Sequence, residues 1–251
     1  MEHDAASKTS SRVEVVRLHL LQAIFSGKYP PGSPLRETGL ARELGVSQAT
    51  VREALHRLAH SGLVTRTSNV GSTVTRLSPA DVQERMELRS LLEVRAALAA
   101  AERIGPADMA EMERRLAVFS GFMNSDSYFE SAQADLSFHR YIWKCSGNQT
   151  LYRLLDQLTL PLVAFASIVL SYCHEHLADV VHAHKPMLDA LRAKDPVLIE
   201  DAFRTGAESF YREYLGNGLR ARNAMAFGLL STGAASEPSG ATNSAGGHPD
   251  R

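Results

Sequence analysis

The stretch Leu35–Val74 reads LRETGLARELGVSQATVREALHRLAHSGLVTRTSNVGSTV. Two short helical patterns meet within it at Gly45-Val46-Ser47. Gly45 can take the backbone angles a tight turn demands, and the Ser47 hydroxyl is placed to accept an N–H that opens the next helix. The first pattern, residues 36–44, turns Leu40, Ala41 and Leu44 inward at three- and four-residue spacing. The second, residues 48–60, turns Val51, Ala54, Leu55 and Leu58 inward. Gln48, Thr50 and Arg52 are read as its outward positions, side chains able to reach base edges or phosphates in a major groove. Two β-rich segments follow, 63–67 and 72–75, joined by Ser68-Asn69-Val70-Gly71, the pattern of a hairpin wing. Capping turn, polar leading face and hairpin occur in the order of a DNA-binding winged helix.

Outward from this stretch, the chain divides in two. Upstream, Val13, Val16, Leu20 and Ile24 form one stripe of a helix over residues 12–26, which Gly27-Lys28-Tyr29-Pro30-Pro31-Gly32 ends. Residues 1–11 are polar and are expected to be disordered. Downstream, Ser78-Pro79 marks a boundary: the serine can cap a helix whose first residue is proline, with Asp81 and Glu84 at its positive end. The winged helix is thus assigned to 12–77 and an all-α domain to 78–229, with helices expected at 80–104, 107–121, 127–146, 148–171, 175–193 and 196–228. The tail from 230 to 251 is rich in Gly, Ala, Ser and Pro and is expected to be disordered. The fold class is mainly α, a small α+β domain in front of a helical bundle.

Charge follows the same division. The whole chain carries a net charge of −1. Residues 1–78, however, hold ten Lys/Arg against six Asp/Glu, and the remainder seventeen against twenty-two. A basic small domain joined to an acidic larger one suits a protein that holds phosphates at one end. The two cysteines, Cys145 and Cys173, form no CxxC pair and argue against a disulfide framework. No stretch approaches the ~20 uninterrupted apolar residues that span a bilayer, and the N-terminus lacks an apolar signal segment, so a cytoplasmic location is expected.

The front segment resembles the DNA-binding domain of the GntR family of bacterial transcriptional regulators. The resemblance rests on Pro31-Gly32, Leu40-Ala41, Gly45-Val46-Ser47, the run Val51-Arg52-Glu53-Ala54-Leu55, Leu58, Gly62-Leu63-Val64 and Gly71. It implies a recognition helix in the major groove and a wing tip near the minor groove, with Ser47, Gln48, Thr50, Arg52 and Gly71 as DNA contacts. Many members carry Arg where this chain has Gln48, and often Thr or Pro at the next two positions, so the operator half-site is expected to differ from the familiar one.

In the rear half, Asp135 and His139 stand four residues apart, one above the other on a helix face. His184 precedes a further apolar helical stripe. A carboxylate and imidazoles converging inside a bundle can hold Zn²⁺ or a similar ion, whereas an Asp–His pair at this spacing is more often a surface or capping contact. His174, His176 and His182 form another cluster, but alternate residues of a helix face opposite ways, so these read as solvated helix-end histidines. Arg89, beside Leu88, Leu91 and Leu92, is either a clamp for an effector carboxylate or a surface ion pair with Glu93 or Glu87. Asn148 is either a helix N-cap or a pocket donor. Phe138 and Trp143 read as core and pocket wall.

This half resembles the FCD effector domain of the FadR subfamily of GntR regulators. The matching marks are Leu88-Arg89 with Leu92-Glu93, Asp135 with His139, Ser146-Gly147-Asn148, and His184 with the Met187-Leu188-Asp189-Ala190-Leu191 run; the two resemblances together cover about residues 12–225. In metal-binding members this pattern implies Asp135, His139 and His184 as ligands of a divalent ion such as Zn²⁺ or Ni²⁺. A fourth ligand, a histidine 22 residues beyond His184, falls here on Gly206. Either the ion is retained with an open position, or the pocket is metal-free and the three residues bind an organic ligand directly.

The function expected is that of a transcriptional regulator: a homodimer on a palindromic DNA operator, its affinity set by a small organic acid bound in the helical domain. Two alternatives stand beside it. One is a dimeric DNA-binding protein without an effector. The other is a helical metalloenzyme using Asp135, His139 and His184, which no nucleophile motif, phosphate loop or paired catalytic carboxylates support.

Overall fold

The computed structural model describes residues 2–68, 71–122, 125–173 and 184–210. Helix α1 spans Glu2–Phe25. It starts ten residues before the expected position, so the segment taken as disordered continues the helix. The sequence from 12 onward supplies its inward stripe: Val13, Val16, Leu20, Leu21, Ile24 and Phe25 are buried. A two-residue strand β1 (Pro34–Leu35), helix α2 (Glu37–Leu44) and helix α3 (Gln48–His60) follow. Gly45 closes α2 at φ +63°, a left-handed angle that disfavours residues bearing a Cβ. Ser47 then caps α3, its Oγ accepting the Thr50 N–H at 3.1 Å.

Strands β2 (Val64–Thr67) and β3 (Gly71–Val74) pair antiparallel, Val64 opposite Val74 and Thr67 opposite Gly71. The sheet order is β1-β3-β2, with Leu35 opposite Ser72. Leu35, Val64 and Val74 point into the core formed by α1 and α3. The hairpin was anticipated; β1 was not, because two residues beginning with proline give no alternation to read.

Ser78 opens α4 (Pro79–Ala101) with a full capping box: its Oγ accepts from Asp81 N, and Asp81 accepts from Ser78 N at 2.8 Å. Helices α5 (Pro106–Ser120), α6 (Tyr128–Cys145), α7 (Gln149–Cys173), α8 (His184–Ala193) and α9 (Pro196–Phe210) complete nine helices among the described residues. The remainder of the expected helices at 175–193 and 196–228 lies outside the described residues, as do His174, His176, His182 and the tail. Helix α9 packs along α4, and α6 packs between α5 and α7.

Against the expectation that no stretch has membrane-span character, α7 is long and apolar enough by composition, with mean hydropathy 1.7 over Gln149–Ser171. Its most apolar window is 72% buried inside the fold, as a core helix is. Pro161 sits within this helix. Its missing N–H leaves the Gln157 carbonyl without its intrahelical donor, and Arg85 Nη1 approaches that oxygen at 3.3 Å.

The two halves share a core. Ala132 and Leu136 of α6 and Leu160, Val163 and Ala164 of α7 pack in one cluster with the buried face of α1, α3 and the sheet. Phe25 meets Phe129 edge-on at 5.6 Å, and Gln157 Nε2 donates to the His60 carbonyl at 2.9 Å. Gly62, at φ +77°, lets the turn after α3 sit against α7: a Cβ there would lie 3.1 Å from the Gln157 oxygen.

Candidate functional site

At the front, Ser47, Gln48, Ala49 and Arg52 form an exposed leading face on α3. Thr50 does not belong to it. Its side chain is buried, 8% exposed, and its Oγ1 lies 2.9 Å from Ser47 Oγ inside the cap. The helix explains the correction: Thr50 is two residues from both Gln48 and Arg52, about 200° round the axis from each. Arg52 is exposed and paired with Glu37 of α2, through Nε at 3.0 Å and Nη2 at 2.8 Å. Gly71 starts β3 at φ +106° and is exposed beside the hairpin tip.

Between α3 and the hairpin lies a cleft of about 800 Å³, lined by Arg36, Glu37, His56, His60, Arg66 and Ser68 among others. Two arginines and two histidines facing a gap beside a recognition helix suit a phosphate backbone. The sequence reading missed this set because its members come from three elements and carry no spacing of their own.

At the rear, α6 and α8 bring Asp135, His139 and His184 together, their ligand atoms all within 4.8 Å of one another. His184 Nε2 is 2.9 Å from Asp135 Oδ1 and 2.9 Å from His139 Nε2, and His139 Nε2 is 3.8 Å from Asp135 Oδ1. A tetrahedral ion with bonds of about 2.0–2.1 Å spaces its ligands about 3.3 Å apart, inside that range. The donor set of one carboxylate and two imidazoles therefore fits a divalent cation. Phe119 and Phe138 meet His184 edge-on at 5.1 and 5.4 Å and wall the cluster.

Glu93 supplies what the sequence reading left out. It is fully buried on α4, with Oε1 3.0 Å from His139 Nδ1, and it accepts from Trp143 Nε1 at 3.2 Å. A carboxylate on Nδ1 turns the opposite nitrogen, Nε2, toward Asp135 and His184, the orientation a metal ligand needs; the approach is off line for a straight hydrogen bond. Burial alone would raise the Glu93 carboxyl, but above all the neighbouring charges of Arg89 and His139 reverse this and draw it down to about 2. Asp135 behaves alike: burial opposes ionisation, and the hydrogen bond from His184, with the His139, His184 and Arg89 charges, brings it to about 2.

Arg89 resolves to neither expected alternative in full. It pairs with Glu93, Nε to Oε2 at 3.3 Å, yet it is only 5% exposed and its charge reaches Asp135, so this is a buried pair beside the cluster. Asn148 is corrected as an effector residue. It is exposed, and its Oδ1 accepts the Leu151 N–H at 3.0 Å, capping α7. Gly206 is buried on α9 and supplies no side-chain ligand.

Both halves of the chain match known families. The family model of bacterial regulatory proteins, gntR family, matches residues 12–74, and that of the FCD domain matches residues 84–206. A protein of Paenarthrobacter nicotinovorans described as "Probable D-xylose utilization operon transcriptional repressor" is 32% identical over 202 residues, covering 79% of this chain and 88% of that protein. The chain belongs to the GntR family. It is a transcriptional regulator with an FCD effector-binding domain, not an enzyme. The gluconate operon transcriptional repressor of Bacillus subtilis is 26% identical, covering 77% of this chain and 80% of its own length. Among solved structures, E. coli McbR/YncC shares the fold at a TM-score of 0.67 and 24% identity, covering 81% of this GntR regulator and 98% of that chain.

Proposed function

We propose that this GntR regulator is a cytoplasmic homodimeric repressor whose grip on a palindromic operator is set by a small carboxylate metabolite bound at a divalent ion in the FCD domain. Ser47, Gln48, Arg52 and Gly71 make the DNA contacts, with Arg36 and Arg66 on the flanking phosphates. A single winged helix reads few base pairs, so a two-fold partner and a palindrome supply the remaining specificity. Relatives named as repressors of D-xylose and gluconate operons support repression and favour a sugar-derived acid as effector.

The observation that carries the reading is the convergence of Asp135, His139 and His184, oriented by Glu93, inside the effector domain. These three residues would hold Zn²⁺ or Ni²⁺, which supplies a Lewis-acidic position for an anionic oxygen. Gly206, where metal-binding relatives have a histidine, leaves that position to the effector, and the Arg89 charge favours an anion there. The signal passes along α6, because Ala132 and Leu136 of the same helix pack in the core that holds the front domain. A coupling of about 1–3 kcal/mol, roughly 5–150-fold in operator affinity, is sufficient.

Elemental analysis of protein purified without chelator, beside Asp135→Ala and Gly206→His, tests this. Stoichiometric Zn²⁺ or Ni²⁺ is expected in the parent protein, lost in Asp135→Ala and held more tightly in Gly206→His. Absence of metal from all three, with no uptake on dialysis against a Zn²⁺ salt, overturns the metal reading and leaves the three side chains as direct hydrogen-bonding groups.

A further inference from the structure

Helix α6 carries a second set of functional side chains on the side away from Asp135 and His139. Gln133, Ser137, Arg140, Tyr141 and Lys144 follow one another at four, seven, eight and eleven residues from the first, a single helical stripe. Asp135 and His139 lie roughly opposite, about 175–215° round the axis. With Arg115 of α5 and with Gln149 and Tyr152 of α7, this stripe lines a groove of about 460 Å³, the size of a small-metabolite site. Three cations line it and no carboxylate does.

The groove is built rather than incidental. Arg115 is pinned by Glu111, its Nε at 2.7 Å, by the Ser137 carbonyl at 3.1 Å, and by the Ser137 hydroxyl; it also lies over the Tyr141 ring at 4.8 Å. Arg140 is pinned by Asp156, its Nε at 2.7 Å. The Tyr141 hydroxyl donates to Asp108 at 3.0 Å. The carboxylates that balance these groups hold them in position from outside the lining. Lys144 is exposed and makes no ion pair among the described residues. Gln133 adds an independent sign: its Nε2 is buried and has no hydrogen-bond partner. A buried donor left unmade costs free energy unless something accepts from it.

We propose that this groove is a second ligand site, separate from the buried cluster, for a compact organic oligoanion: a phosphate ester or a polycarboxylate. Lys144, with the guanidinium edges of Arg115 and Arg140, meets the charge, and Gln133 Nε2 donates to a ligand oxygen. The occupant bears on α6, the helix whose other side carries Asp135 and His139, so both ligands act on one element.

The test is calorimetric titration of the full chain with inorganic pyrophosphate and, separately, with tricarballylate. One saturable site is expected, and the stronger probe identifies phosphate or carboxylate as the natural chemistry. Lys144→Glu should weaken it by about tenfold or more with its melting temperature unchanged, and Gln133→Leu by about tenfold without lowering the melting temperature. No saturable binding of either probe overturns the proposal. So does binding that Lys144→Glu and Gln133→Leu leave untouched, which would place the anion elsewhere in the molecule.

Discussion

The DNA-reading face and the buried cluster place polar groups in opposite ways. Ser47, Gln48 and Arg52 lie within one and a half turns of a single helix, stand in solvent, and are held by a cap and one exposed ion pair. Glu93, Asp135, His139 and His184 come from three helices and are held by one another in a largely dry interior. The first arrangement leaves recognition residues replaceable at little risk to the fold. The second makes the proposed effector site part of what keeps the bundle together, so under that proposal sensing and stability cannot be varied separately there.

The sharpest way to break that contrast is Glu93→Ala. It takes the Glu93 carboxylate away from buried Arg89 and frees the His139 ring, and removing one partner of a buried pair costs about 3–5 kcal/mol. Urea denaturation followed by fluorescence of Trp143, the single tryptophan and a direct donor to Glu93, should show that loss. A loss below about 1 kcal/mol, the scale of an exposed pair, would mean the cluster is not structural. Next in size is Arg52→Ala, expected to weaken specific operator binding by about 1–3 kcal/mol while its denaturation curve overlays that of the parent. Unchanged affinity and footprint would remove Arg52 from the interface. Smallest is Glu37→Gln, which releases Arg52 from an exposed, solvent-screened pair. Operator affinity should rise slightly in a gel-shift titration. A fall would show that Glu37 aims Arg52 at the DNA instead of restraining it.

The same contrast explains what could be read from sequence. The winged helix is legible because its determinants are local: an apolar period of three and four, a left-handed glycine and a capping serine fall within twenty residues. Gln48, Thr50 and Arg52 step in twos, the period of a strand, so on a helix Thr50 turns inward between the other two. Residues 2–11 are polar enough to read as disorder, whereas α1 begins at Glu2. In the bundle, Asp135 and His139 announce themselves by their spacing and His184 through the family resemblance. Glu93 reads as a possible partner of Arg89 and as a mark of the resemblance, since nothing in a linear pattern says that it also meets a histidine 46 residues later, across two helices. The cationic groove on α6 was equally invisible, its stripe looking like any solvated face until α5 and α7 enclose it.

Pro161 and Gly62 bear on how such regulators could be rebuilt. The proline bares the Gln157 carbonyl on α7, and the glycine, alone among common residues in tolerating both φ +77° and a backbone oxygen 3.1 Å from where its Cβ would be, lets the DNA-reading head rest on that spot. A chimera that grafts a foreign head onto this bundle at the Leu77–Pro79 linker therefore inherits a hidden compatibility rule. Heads carrying a left-handed glycine in that turn will seat; a side chain there is strained at φ +77° and presses α7 back by a few tenths of an ångström, loosening the joint.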